Sequence, residues 1–386
     1  MSVYLDHAAT TPMLPEAIDA YAEALRLVGN PASIHTPGQQ AKRMLEESRE
    51  RIAASLGCDA IEVLLTSGGT ESINLAIKGL FWARKEQGRR ILVPEGEHHA
   101  TMDTVEWLER SEGAIIEWIP LDGRGRIRLD ALEAALAAHD DIALLTLLWA
   151  NNEVGTIQPV ERAAALAAEH GVPVHADAVA AYGQLPLRFH GSGLAAMSVS
   201  AHKIGGPVGI GALVLARDAT VVPLLHGGGQ QRRMRSGTQD AAAAVAFAVA
   251  ADRAADPDVD DLLELRHRLV RGVSRVVPEA TFRGDVIERL PGNAHFTFPG
   301  TQGDSMLFLL DMAGVAISTG SACQAGVSET SHVLLAMGLP EEEARGAVRV
   351  SLGATTTADD VHAFLDALPG AFAQAVKAGF SERPVR

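Results

Sequence analysis

The sequence predicts an α/β protein: a large domain on a mostly parallel sheet, followed by a smaller α+β domain. Three observations carry this. Between residues 61 and 216, short β-rich runs alternate with longer helical runs. Several of the short runs are apolar almost throughout, as strands covered on both faces are. Near residues 241–261 an alanine-rich helical stretch gives way to the acidic run DPDVDD, and the order of elements changes.

In chain order, the strand candidates of the first part are 61–66, 90–93, 114–119, 142–148, 172–176, 196–200 and 211–216. Helices are expected at 71–86, 100–110, 129–138 and 160–170. After a boundary near residue 255 come a helix at 262–277, a strand at 294–298, a helix at 304–313, and strands at 315–318 and 347–352. A closing helix follows Thr357. The expected division is a large domain of 13–255 and a small domain made of 1–12 with 256–386. No internal repeat or low-complexity linker interrupts it.

Composition excludes several function classes. Of 386 residues, 47% are hydrophobic and 21% charged, as in an ordinary globular chain. There are 33 basic and 48 acidic residues, a formal net charge of -15. That argues against direct nucleic-acid binding, which needs clustered positive charge, and against docking on anionic membrane. The longest apolar run, 241–251, falls short of a bilayer span. The start, MSVYLDHAATTP, has neither a basic nor an apolar leader segment, so no signal peptide is expected. Two cysteines, Cys58 and Cys323, cannot build a disulfide framework or a zinc cluster, so a cytoplasmic, metal-free protein is expected.

Four segments carry candidate chemistry. In TSGGTES (66–72) a strand runs through small residues into a helix, whose free N–H groups and positive dipole end suit an anion. A plain capped helix start reads equally well there. Lys203 stands in SAHKIGG, between an apolar strand and a glycine-rich turn. The other four lysines, Lys42, Lys78, Lys85 and Lys377, sit in amphipathic helical segments. A lysine placed like Lys203 can form a Schiff base with a carbonyl cofactor, or simply precede a loop. Asp177 ends the apolar strand of VHAD, where ligands of open α/β sheets bind; an N-cap aspartate is the bland alternative. Cys323, in STGSACQAG, follows a strand in a small-residue segment, unlike structural cysteines within apolar runs. Cys58, at a helix end, reads as a bystander. The GSGLAA stretch at 191–196 matches a dinucleotide fingerprint but lacks the strand before and the helix after it.

Together these residues resemble the pyridoxal-phosphate-dependent cysteine desulfurases of the nitrogen-fixation and iron–sulfur-cluster type, within the class V aminotransferases. The resemblance runs nearly end to end. YLDHAATTP (4–12), NPASIHTPG (30–38), TSGGTES (66–72), EHHA (97–100) and NNEVGTIQP (151–159) open it. HADA (175–178), AHKIGGPVGIGAL (201–213), RSGT (235–238), STGSAC (318–323) and VRVSLG (348–353) follow in the family's order.

The resemblance implies the fold type I of pyridoxal-phosphate transferases and a set of roles. Lys203 would hold the cofactor as a Schiff base and Asp177 would pair with its pyridinium nitrogen. The His98 ring would stack on its face and carry protons. Gly69, Thr70, Ser200 and His202 would hold the phosphate, and Thr238 would reach it from the second subunit of a homodimer. Asn152 would lie near the cofactor's 3′-oxygen and the substrate. Arg349 would clamp the carboxylate of L-cysteine, with Asn30 assisting, since a guanidinium fork suits two oxygens. Cys323 would attack the substrate sulfur, release alanine and keep a persulfide for a sulfur-acceptor protein, such as an iron–sulfur scaffold or sulfurtransferase.

The chain departs from the family pattern at three places. Ala180 replaces a glutamine that faces the 3′-oxygen, and Ala201 and Ile204 replace the usual neighbours of the His-Lys pair. The rivals are a selenocysteine lyase or another class V enzyme, and a catalytically impaired sulfur-transfer partner. A thiol at position 323 speaks for sulfur chemistry, because an aminotransferase needs none.

Overall fold

The structure, a computed structural model, describes residues 3–320 and 330–381. Cys323 lies outside the described residues. After strand β1 (Val3–Tyr4) come two helices, α1 (Pro15–Ala24) and α2 (Thr36–Ser55), that the reading of alternating strands and helices left out. Local signals for both exist. Pro15 opens α1, and the His35 ring caps α2 by accepting from Gly38 N. Ala41, Leu45, Ser48, Ile52 and Ser55 make the buried stripe of α2 at helical spacing.

Seven strands form the main sheet: β2 (Val63–Thr66), β3 (Arg90–Pro94), β4 (Ile115–Ile119), β5 (Ile142–Leu148), β6 (Val174–Asp177), β7 (Ala196–Ser200) and β8 (Gly211–Leu215). Their spatial order is β2-β8-β7-β6-β5-β3-β4, with β8 antiparallel to both neighbours and the other pairs parallel. The crossovers are α3 (Gly69–Arg84), α4 (His99–Glu112), α5 (Leu129–Ala138) and α6 (Val160–Glu169). All seven residues of β5 are buried, which is why it reads as an unbroken apolar run. The expected strand at 172–176 begins at Val174 instead. Pro173 before it has no N–H to offer a ladder. The apolar run near 241 is α7 (Ala241–Ala254), a helix buried on most sides. Its alanines let α1 and α2 pack closely on it. Among the described residues, no helix is long and apolar enough to cross a membrane.

The remaining elements are α8 (Asp260–Val276), β9 (Thr281–Arg283), β10 (Asn293–Thr297), α9 (Gly303–Met312), β11 (Val315–Ala316), α10 (His332–Ala336), α11 (Glu341–Ala344), β12 (Ala347–Ser351) and α12 (Ala358–Ser381). Antiparallel β12-β10-β9 makes a second sheet, and β1 pairs in parallel with β11. Phe296, Phe298, Leu269, Val350 and Phe364 fill a core of their own under this sheet, and Leu5 joins it. The chain's first residues therefore pack with its last third. They also run past the ends of the main sheet, which places them over the site described next.

Candidate active site

The site lies at the carboxyl ends of β5, β6 and β7, where an open α/β sheet leaves a crevice. A cavity of about 230 Å³ is lined there by Thr70, His98, Asn152, Asp177, Ser200 and Lys203, with Gly69, Ala180 and His202. Asp177 is the last residue of β6 and is buried. One carboxylate oxygen accepts from Val179 N at 2.9 Å. Burial lifts its pKa to about 6, against the Val179 N–H and the nearby Lys203. Behind it His175 is locked between Thr146 Oγ1 (2.9 Å) and Ser198 Oγ (2.8 Å), so it ties three strands together and does not face the cavity.

Lys203 closes a short 3₁₀ turn that follows β7. Its ammonium donates to two carbonyls of the N-terminal segment, Ala8 O and, at 2.9 Å, Ala9 O. Burial first, then the positive Arg349, brings its pKa down to about 8, while Asp6 and Asp177 oppose. A sizeable fraction of this amine is thus neutral near physiological pH, as a nucleophilic lysine requires.

His98 caps α4, with Nδ1 accepting from Ala100 N at 3.0 Å. That bond assigns the remaining ring proton to Nε2. Burial, then Lys203, pushes its pKa down to about 4, so the ring is neutral over the cavity.

The anion cup is next door. Ser67, Gly68, Gly69, Thr70, Ser200 and His202 line an adjoining cavity of about 260 Å³. The first intrahelical bond of α3 runs from Ser72 N to Gly68 O, so the N–H groups of Gly69 and Thr70 precede it and point outward. Gly68 has φ 149°, a region open to glycine alone, and a Cβ on Gly69 would meet Val179 Cγ2 at 2.8 Å. The glycines therefore serve a close backbone approach. Burial alone would raise the Glu71 carboxyl beside the cup, but Arg235 and Ser67 hold it below its ordinary value. Its charge is matched by Arg235 at 2.8 Å.

Arg349, from β12, does not line the cavity itself but bonds to Asn152, which does. Nη1 donates to Asn152 O and Nη2 to Asp6 Oδ1, each at 2.9 Å, and the side chain is buried. Asp6, the Ala8 and Ala9 carbonyls, and Gln184, which lines the space beside Ala180 and Lys203, are participants that residue-by-residue reading passed over. Asp6 and the alanines stood inside a quoted motif, but nothing local marks their contacts.

Two further sequence candidates do not line this cavity either. Asn30 and Thr238 line a separate one of about 570 Å³, and Asn30 Oδ1 is turned onto Ala32 N at 2.9 Å. Within one chain Asn30 is therefore not beside Arg349. Cys58 is also remote: burial, then Glu62 and Asp59, pushes its thiol up to about 12, which makes it a poor nucleophile.

The donor set fits pyridoxal 5′-phosphate: outward N–H groups and hydroxyls at one end, a buried carboxylate at the floor, a deprotonable lysine between. The family model for class-V aminotransferases matches residues 3–364. The chain is 53% identical over 385 residues to an IscS-like cysteine desulfurase of Mycobacterium tuberculosis, covering 98% of each. A solved NifS-like protein superposes with a TM-score of 0.90 at 33% identity, over 97% of this chain and 100% of that one. Another, described as SspA in complex with cysteine, gives 0.80 at 32% identity, over 91% and 99%. With a lysine, an aspartate and an anion cup on this sheet and a family match along nearly its whole length, the chain belongs to the class-V aminotransferases.

Proposed function

We propose that the protein is a cysteine desulfurase that uses pyridoxal 5′-phosphate to convert L-cysteine to L-alanine, passing the sulfur to Cys323. The convergence of Lys203 and Asp177 on one cavity, with Arg349 bonded to Asn152 in its lining, supports this reading. Pyridoxal 5′-phosphate, when bound, supplies an electron sink next to the substrate α-carbon.

The chain's own residues do the rest. Gly69, Thr70, Ser200 and His202 would hold the phosphate, and Asp177 would pair with the ring nitrogen. Lys203 Nζ would hold the cofactor through its carbonyl carbon, and its free amine would be the base for the substrate α-proton. Arg349 binds the substrate carboxylate, sharing the arginine with Asp6. His98, neutral and carrying its proton on Nε2, lines the cavity and can donate a hydrogen bond there, while the protonated Lys203 returns a proton to the product side. The Cys323 thiolate attacks the substrate sulfur. The Cβ–S bond breaks, a persulfide forms on Cys323, and the carbon skeleton leaves as alanine.

The core that Leu5 shares with residues 269–375 supports a division into 13–255 and 1–12 with 256–386. A homodimer is part of the reading. Ile61 (50% exposed) lines the cavity with Asn30 and Thr238, and Val28 (88%) and Ile34 (90%) flank Asn30 in the chain, exposed apolar side chains of the kind a second subunit covers. Thr238 then reaches the phosphate of the other subunit. The persulfide goes to an acceptor protein in the cytoplasm. The test is incubation of the loaded enzyme with L-cysteine and a reductant, assaying sulfide and alanine together. Equal amounts of both are expected; alanine without sulfide, or neither, sinks the reading.

A further inference from the structure

We propose that Glu97 is a positioning residue that works as a neutral carboxylic acid. It brackets the His98 turn to the end of β5 and leaves Asp177 as the single anion beneath the cavity. The first part rests on geometry. Glu97 is buried, with 2% of its surface exposed. Oε1 accepts from Leu148 N at 2.8 Å, which joins the turn before α4 to the last residue of β5. The backbone carbonyl of Glu97 accepts from His332 Nε2 at 2.8 Å, and Asn151 Nδ2 donates to Gly96 O at 3.0 Å. The turn that aims His98 is thus held from β5, from α10 and from the loop after β5.

The charge state follows from what surrounds the second oxygen. Oε2 is buried and accepts no hydrogen bond. Leu148 N from β5, Thr101 from α4 and Asp177 from β6 are the groups that face this carboxyl, and no cation is among them. An ionised carboxylate in that setting has no cation to pair with, and it would repel Asp177. A proton on Oε2 removes both problems. The Thr101 hydroxyl beside it opposes burial when it donates to the ionised form, and it accepts equally well from a proton on Oε2. Burial accordingly raises Glu97 well above the usual carboxylate range. Asp177 keeps Lys203 nearby and a Val179 N–H, so the two acids are driven apart in their titration.

This inference rests on the cofactor reading for its consequence but not for its test. The infrared spectrum of the holoenzyme at pH 7–8, minus that of the E97Q holoenzyme, should contain the C=O stretch of one protonated carboxylic acid. Glutamine reproduces both halves of the bracket, an acceptor for Leu148 N–H and a donor for Thr101. E97Q should therefore keep kcat/KM within about threefold of wild type, with the acid limb of the pH profile in place. E97L, which leaves the Leu148 N–H without an acceptor, should lose about 10- to 100-fold. Absence of the protonated-acid band, or a loss in E97Q as large as in E97L, would overturn the proposal. If no sulfide forms at all, the desulfurase reading fails while the infrared result stands.

Discussion

The floor of the cavity and the seat of Arg349 are built on opposite principles. The floor comes from one sheet. Its polar side chains stand on adjacent strand ends, and burial pushes them toward neutrality: Asp177 up to about 6, Lys203 down to about 8. The seat comes from three distant segments. Arg349 meets Asp6 across 343 positions and Asn152 O across 197, and the guanidinium is held by a full opposite charge. Desolvation tunes the floor, which suits groups that must exchange protons. Pairing fixes the seat, which suits a group that must only hold a carboxylate. The floor should therefore fail through lost chemistry and altered titration, and the seat through lost binding.

The largest effect is expected at the floor. Lys203→Ala should abolish the borohydride-reducible bond to the cofactor and lower turnover by about 10³-fold or more, since it removes both the anchor and the base. A mutant that retains the reducible chromophore would place the Schiff base elsewhere and erase the contrast.

Asp177→Asn sharpens the claim that desolvation governs the floor. The native pKa near 6 exceeds the ordinary 3.8, so the folded state binds the extra proton between these values. The stabilisation is complete below about pH 4 and is lost as pH rises through 6. The shift corresponds to about 3 kcal/mol above pH 6. Cofactor-free Asp177→Asn should then be more stable than cofactor-free wild type at pH 7–8 by about that amount, and should lack the pH slope between 4 and 6. Urea unfolding at several pH values decides it. Equal stabilities would mean that the carboxylate is solvated or paired in solution.

The seat should respond differently. Arg349→Lys keeps the charge opposite Asp6 but loses the planar fork. KM for L-cysteine should rise about 10- to 100-fold, with kcat changed much less. A fall in kcat with an unchanged KM would make Arg349 part of the chemistry and collapse the distinction drawn here.

The same contrast explains what the sequence disclosed. The floor was legible because each of its parts is a local pattern: a strand, then a turn, then one polar residue where a chain of that kind ends. Lys203 stood out among five lysines by position alone. Arg349 has no such signature. AVRVS is an ordinary alternating strand in which Val348 and Val350 enter the core, and only the resemblance singled out the arginine. The Asp6 contact is invisible for the same reason, since nothing local requires it. Helices α1 and α2 were missed because they lie outside the strand–helix alternation on which the reading hung. Glu97 stands in EHHA with no local mark of a role, because its charge state depends on burial that no linear pattern shows.

The smallest effect concerns the boundary between the two regions. Ala180 lines the cavity with Asn152 and Lys203. Its methyl group stands where the family resemblance implies a glutamine facing the 3′-oxygen of the cofactor. One turn further on, Gln184 borders the same space, but its Oε1 is occupied by Gly292 N at 3.0 Å. A donor directed at the 3′-oxygen stabilises negative charge there and lowers the pH at which the lysine-bound chromophore changes its absorption. Asn152 already stands nearby, so a second donor should add only part of a hydrogen bond, about 1 kcal/mol or less than one pH unit. Ala180→Gln should therefore lower that spectral midpoint slightly, leaving both the reaction and KM for L-cysteine unchanged. Absorbance titration of the two holoenzymes measures it. A midpoint that stays or rises would show that the donor at 180 does not reach the oxygen. A change in KM instead would mean that position 180 belongs with the Arg349 seat rather than with the floor.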